Sequence, residues 1–427
     1  MVRLRWVFGA LLLVLLSFPG LNAAAQATPA PADDAGTLFV ADPAAEALYA
    51  FALPDLTLAA TLDDVVMNTH AGFLPLPDGR LLLIDDAADE LLAVQRTADA
   101  LEVVGRVAVP ADVTHLAVDP ALTYALVGAI SDTAALTLVD LATYTASSLP
   151  VEAGEAGVML GGDPLTVYHR NDAALQVEAY PVTAFLAGDT TPSAAVPTGA
   201  FGHGEAIDHA RGRLYLATDD GVDVVGLTAD GLQYETTWPW AANDRDGGRA
   251  YFARLTPDGS HFITYIANRE GEETAWGEWS NDLYLVDLET DTVTRSELAP
   301  GVVFRFALAG NLALFFAMTP AGDQAILVDA DPASATFGQT LTTIPLASLS
   351  NGPQAGESPW EAESRIAALT PDGATGFISH GGDGVISVID TQAGVVSQQL
   401  AVPTSLAGGG YMIAVNEGVP FVDTVAR

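Results

Sequence analysis

The chain contains no cysteine and no lysine; its 16 basic residues are all arginine and face 54 acidic ones. Without cysteine there is no disulfide, no lipoprotein-type anchor and no thiolate metal site, so any metal must be held by His, Asp and Glu. A formal charge of -38 repels phosphate backbones and anionic lipid surfaces, whose binding needs cationic groups in number. Nucleic acid is therefore not an expected partner, whereas cations are drawn in; the plainest consequence of the charge is solubility. Histidine is scarce as well, with seven in 427 residues, so each position is informative.

What is present begins with "MVRLRWVFGALLLVLLSFPGLNAAAQATPAPADDAG". Arg3 and Arg5 precede an apolar run from Trp6 to Phe18, followed by Ala23, Ala24 and Ala25. This is the layout of a secretory signal peptide over residues 1–25, and the run is short for a membrane span. Residues 26–36, rich in Ala, Pro and Asp, read as a flexible leader. The mature chain is expected to be secreted, periplasmic or extracellular, without a membrane anchor.

The body repeats. "FLPLPDGRLLLIDDAADELLAV" from Phe73, "ARLTPDGSHFITYIANRE" from Ala253 and "AALTPDGATGFISHGGDGVISVIDTQAG" from Ala367 share one plan: an apolar strand, a Pro-Asp-Gly turn, a second strand and a third ending near Asp. Pro presets the first central turn position and Gly takes the positive-φ one, so the tripeptide between alternating runs marks a hairpin. First strands recur near Ala71, His115, Ala156, Glu205, Tyr251, Phe304, Ile366 and Tyr411. A period of about 40–50 residues with four short strands each is the mark of an all-β propeller. The last unit stops after "YMIAVNEG", while three strands at the start, "TLFVA", "ALYAFAL" and "LTLAATL", lack a unit of their own. Joining them closes the ring through one blade shared by both termini. Eight blades are expected, or seven if one unit is irregular, as a single domain over residues 37–418 with a tail over 419–427.

Aligning the turn glycines Gly79, Gly212 and Gly373 places His70 on His203, and Asp86 on Asp219 and His380. His115 falls at the position of Glu205 by a looser alignment. His70 and His203 thus enter channel-lining strands from one face of the ring, and His380 leaves its strand on that same face. Imidazole nitrogens with carboxylate oxygens suffice for a tetrahedral zinc site. The candidate metal ligands are His70, His203, Glu205 and His380, with Asp86, His115 and Asp219 as further candidates; the alternative for each is a turn or wall residue bonded to backbone. Blades 1, 4 and 7 are spread around the ring, so a pair of histidines completed by a carboxylate or water is the expected arrangement. His209 and His261 fall by the turns of the opposite face.

The segments "NTHAGFLPLPDGRLLLIDD", "GHGEAIDHARGRLYLATDDGVDVV" and "SHGGDGVISVIDTQAG" resemble the secreted zinc metallochaperones of the AztD type, within the broader YVTN/WD40-like propellers. The resemblance runs over residues 37–418, and its most specific pieces are "HGE" and "SHGGDG". It implies an extracytoplasmic zinc carrier that serves the solute-binding protein of an ABC importer, with ligands among His70, His203, Glu205 and His380. The chain departs from that family's pattern in lacking a cysteine pair around "HGE" and an acidic, His-rich transfer stretch, since the leader offers only Asp33 and Asp34.

Two other classes remain open. One is a scaffold that meets a protein or glycan through the loops 268–282 and 351–364, which carry Trp276, Trp279 and Trp360. The other is a propeller enzyme of the lactonase or quinoprotein kind with a metal or cofactor at the channel mouth. No Ser-His-Asp spacing, phosphate-cradling glycine loop or distinctive carboxylate pair argues for catalysis. The expectation is a monomeric, non-enzymatic metal-binding protein.

Overall fold

The computed structural model describes residues 36–130, 134–154, 156–200, 203–229, 231–416 and 424–426. The signal peptide expected at 1–25 and the leader up to residue 35 lie outside the described residues. Among those described, the strands form eight four-stranded antiparallel sheets, an eight-bladed β-propeller. The sheets begin with blade 1 at Leu74–Pro75, blade 2 at Val113–Val118, blade 3 at Ala156–Gly161 and blade 4 at Glu205–Asp208. Blades 5 to 7 begin at Arg249–Leu255, Ala307–Ala309 and Ala367–Leu369. In blade 8, Tyr411–Val415 pairs antiparallel with Thr37–Asp42, with Ile413 opposite Phe39. The two termini therefore share one blade, as the unpaired strands in the sequence require.

Local chemistry explains why these residues fold in this pattern. Gly79, Gly259 and Gly373 hold φ of 86°, 67° and 72° at the Pro-Asp-Gly turns. In two of them a threonine hydroxyl donates to the turn aspartate, Thr256 to Asp258 at 2.7 Å and Thr370 to Asp372 at 2.6 Å. The aspartates that close third strands cap the next turn: Asp140 accepts from the backbone N–H of Ala142 and Thr143, both at 2.9 Å. Inner strands are buried on both faces, whereas the outer strand Leu101–Ala108, after the buried Leu101, alternates between exposed and half-buried. Apolar contacts run from blade to blade; Leu126 and Leu136 of blade 2, for instance, share a cluster with Met159 and Tyr168 of blade 3.

First strands of successive blades lie beside one another around the axis, notably those of blades 2 to 5, and so line the channel. The end of the chain returns to this wall. Val425 bridges Ala117 in the first strand of blade 2, Val118 N donates to Thr424 O at 2.8 Å, and Ala426 N to Leu116 O at 2.8 Å. Of the tail expected at 419–427, residues 424–426 are thus described, and Val425 is buried. Among the described residues no helix is long and apolar enough to cross a membrane.

Candidate functional site

His70 sits in a turn tied at both ends. Asn68 Oδ1 accepts from Ala71 N at 2.6 Å, while Asn68 Nδ2 donates to Asp86 Oδ1 and to Val113 O, each at 2.8 Å. The Asn68 side chain thereby fixes the blade 1 entrance against blade 2. His203 and Glu205 flank Gly204, whose φ is +101°; a Cβ there would lie 3.1 Å from Ala253 N. Only glycine fits this close approach of the blade 4 entrance to blade 5, which is the physical reason for the "HGE" spelling.

These turns bring three imidazoles together. The His70 ring lies 5.8 Å from that of His115 and 6.2 Å from that of His203, centroid to centroid. Glu205 is buried and its Oε1 is 3.7 Å from His115 Nε2. It reaches His115 in blade 2 by lying over the first strand of blade 3, where Gly157 has no side chain in the way. A Cβ on Gly157 would be 3.1 Å from Glu205 Oε2. On the other side of the His115 ring, Nδ1 and the Thr114 hydroxyl are 2.9 Å apart, a contact that orients Nε2 toward the carboxylate. His203 also meets Tyr251, with centroids 5.7 Å apart.

The electrostatics favour neutral rings. Desolvation, then the charges of Arg305 and His203, lower the His70 pKa to about 4, although the residue is exposed at the surface. Burial followed by Arg170 depresses His203 as well, against the opposing pull of Glu205. Arg170 is itself buried, held by Asp172 Oδ1 at 3.0 Å and Ala217 O at 3.3 Å. Neutral imidazole is the form that coordinates metal.

The remaining candidates stand elsewhere. His380 makes no ring contact with the other histidines; its Nε2 pairs with Ser387 Oγ at 2.7 Å inside blade 7, and its charged neighbours are Arg365 and Asp383. Asp86 receives Asn68, and burial together with Asp85 raises its pKa. Asp219 pairs with Arg249 Nε at 3.1 Å. Among the described residues no three His, Asp or Glu side chains are set around one point as ligands. His209 and His261 lie by the turns of the other face, with His209 Nε2 3.0 Å from the Thr424 hydroxyl and His261 Nδ1 2.8 Å from the Ser260 hydroxyl.

The tryptophan loops pack on each other. Trp276 Nε1 donates to Gln354 O at 3.2 Å, and the Trp279 and Trp360 rings are 5.9 Å apart. Trp276 and Trp279 are buried; only Trp360 of these three is exposed. Gly157, Tyr251 and Asn68 escaped the sequence reading. The signal for Gly157 was a glycine within an apolar first strand, which often marks a close approach.

No protein-family model matches the chain, and no curated protein matches it in sequence. Solved structures do share its fold. The chain is similar to apo AztD from Citrobacter koseri, with a TM-score of 0.65 and 12% identity over 90% of this chain and 98% of that one. It is similar also to NirN, a dihydro-heme d1 dehydrogenase in complex with DHE, with a TM-score of 0.62 and 13% identity over 91% of this chain and 77% of that one. A third likeness is to PpgL, the periplasmic gluconolactonase of Pseudomonas aeruginosa, with a TM-score of 0.50 and 16% identity over 72% of this chain and 96% of that one. At such identities the likeness is one of fold.

Proposed function

We propose that the protein is an extracytoplasmic metal carrier that takes zinc as cargo at the channel mouth and passes it to the solute-binding protein of an ABC importer. The observation that carries this reading is the convergence of His70, His115 and His203 with the buried carboxylate of Glu205. Two imidazoles on one tetrahedral zinc ion place their centroids roughly 5 Å apart, given Zn–N distances of about 2.0–2.1 Å. The spacings of 5.8 and 6.2 Å are a little longer. Zinc binding therefore requires these rings to draw closer by roughly 1 Å. A set of three neutral imidazoles and one carboxylate leaves no thiolate to make release slow, which suits a carrier better than a structural site. The likeness to apo AztD and the "HGE" segment support the same reading. The net charge of -38 raises the concentration of cations around the protein as a whole.

Competition titration against a chromogenic chelator tests it. Wild type is expected to bind one zinc ion, and His203→Ala, His70→Ala and His115→Ala each to lose at least ~10-fold in affinity. Glu205→Gln keeps the shape and removes the charge, so it separates ligation from packing. Equal binding by wild type and the three histidine variants, or no binding tighter than micromolar, would overturn the reading. The fold likeness to NirN and to the gluconolactonase favours a second reading, an enzyme using the same mouth. Bound metal with an exchangeable water ligand would support that alternative, and a closed set of protein ligands the carrier.

A further inference from the structure

In so acidic a chain an arginine seldom lacks a carboxylate. Arg80, Arg211, Arg245, Arg295 and Arg365 each have an Asp oxygen within 2.9 Å. Arg269 and Arg305 depart from this habit. Arg269 Nη2 and Arg305 Nη1 are buried and have no hydrogen-bond partner among the described residues. Aromatic faces hold them instead. The Arg269 guanidinium carbon lies 4.3 Å from the ring centroid of Tyr251 and 4.7 Å from that of Trp360. That of Arg305 lies 5.1 Å from Tyr411 and 5.6 Å from Phe304. A guanidinium that rests on ring faces is fixed by cation–π attraction while its N–H edge stays turned away from the rings.

Both groups stand at the histidine mouth. Arg305 Nη2 donates to Thr69 O at 2.8 Å, next to His70. Tyr251, which carries Arg269 on its ring, also meets His203. Phe304 and Trp360, 6.3 Å apart, join the aromatic supports of the two arginines into one row. Both guanidiniums act electrostatically on the Tyr265 phenol, whose oxygen accepts the backbone N–H of Arg305 at 3.3 Å.

We infer that Arg269 and Arg305 form the cationic half of an organic-anion site at this mouth, which takes a carboxylate-bearing molecule with a planar apolar body. The planar fork of N–H donors matches a carboxylate. Trp360, exposed, and the half-buried Phe304 and Tyr251 supply faces on which a flat apolar body can stack. The overall charge of -38 repels anions in general, so retention depends on local donors, of which Arg269 Nη2 and Arg305 Nη1 have no partner among the described residues. Its donors are the two arginines and not the histidines, so the site is open to test in the metal-free protein.

Calorimetric titration of the chelator-treated, metal-free protein with isophthalate at low ionic strength tests the inference. One equivalent is expected to bind, the neutral diamide of the same acid is not, and inorganic phosphate should bind much more weakly. Arg269→Gln and Arg305→Gln are each expected to lose at least ~10-fold, the scale of a hydrogen bond to a charged group. Arg106→Gln, which removes an exposed ion pair with Glu90, should bind as wild type. If a glutamine variant does not fold, Arg269→Lys and Arg305→Lys keep the charge but lose the fork, and a several-fold loss is expected of them. Absence of isophthalate binding, or unchanged affinity in the arginine variants, overturns the site; phosphate binding as tight as isophthalate overturns its assignment to organic carboxylates. Because no metal is present, failure here leaves the zinc titration untouched.

Discussion

Replacing Gly157 by alanine adds one methyl group at the point where Glu205 crosses blade 3. The added Cβ would lie 3.1 Å from Glu205 Oε2, 3.4 Å from its Cδ and 3.5 Å from Arg170 Cβ. The last two are ordinary contacts; the first is too close by a few tenths of an ångström. Glu205 is 1% exposed, so its carboxylate has no solvent to swing into and must shift along the channel wall, opening its 3.7 Å approach to His115. Overpacking of this kind costs about 1–3 kcal/mol. Gly157 sits in a strand without a positive φ, so alanine returns about 0.4–1 kcal/mol by restricting the unfolded chain. The net loss of stability is therefore small, roughly 0–2.5 kcal/mol, whereas zinc affinity should fall by about tenfold, as for loss of a group that orients a ligand. Gly154→Ala is the control: its Cβ would meet nothing closer than 3.6 Å, and both stability and zinc affinity should stay as in wild type. Denaturant unfolding and chelator competition on the two variants read the effect. Unchanged zinc affinity in Gly157→Ala would show that Glu205 does not depend on the gap in blade 3 and that its tie to His115 is incidental.

Two further outcomes are expected. Burial, and then Arg365, lower the His380 pKa to about 4 from 6.5; between these values the unfolded chain holds a proton that the folded one does not, so stability is full above pH 6.5 and declines as the pH falls toward 4. By pH 5 this one group should cost about 2 kcal/mol, and denaturation midpoints at pH 7 and 5 should therefore diverge less in His380→Gln than in wild type; equal divergence would refute the assignment. Deleting residues 408–427 removes Tyr411–Val415 from blade 8 and should abolish cooperative melting, while deleting only 417–427 removes the pairing of Thr424 to Ala426 with blade 2 and should lower the melting temperature with cooperativity retained. If both deletions melt alike, ring closure does not rest on the shared blade.

The architecture was legible because its causes are local. Alternating strands, Pro-Asp-Gly turns with a positive-φ glycine and strand-ending aspartates each act within a few residues, and their recurrence counts the blades. The unpaired strands at both ends made the closure of Thr37–Asp42 onto Tyr411–Val415 a matter of hydrogen-bond accounting. The equal offset of His70 and His203 from their turns likewise put them on one face, and their rings do meet.

Which other side chains join them was decided only in three dimensions. Register places a residue at a height along the channel, but it says neither how far apart two blades stand nor where a side chain at a strand end turns. His380 shares the height and yet points into its own blade, because Ser387, two positions on from its cross-strand partner Val385, lies within hydrogen-bond reach. His115 is drawn in because the missing side chain at Gly157 lets Glu205 span a whole blade. Apart from Phe304, which precedes Arg305 directly, the seats of Arg269 and Arg305 are built from rings of separate segments, Tyr251, Trp360 and Tyr411, which no spacing along the chain connects. Cation–π contact and the exclusion of a nearby carboxylate depend on distances through space, which the closing of the ring sets.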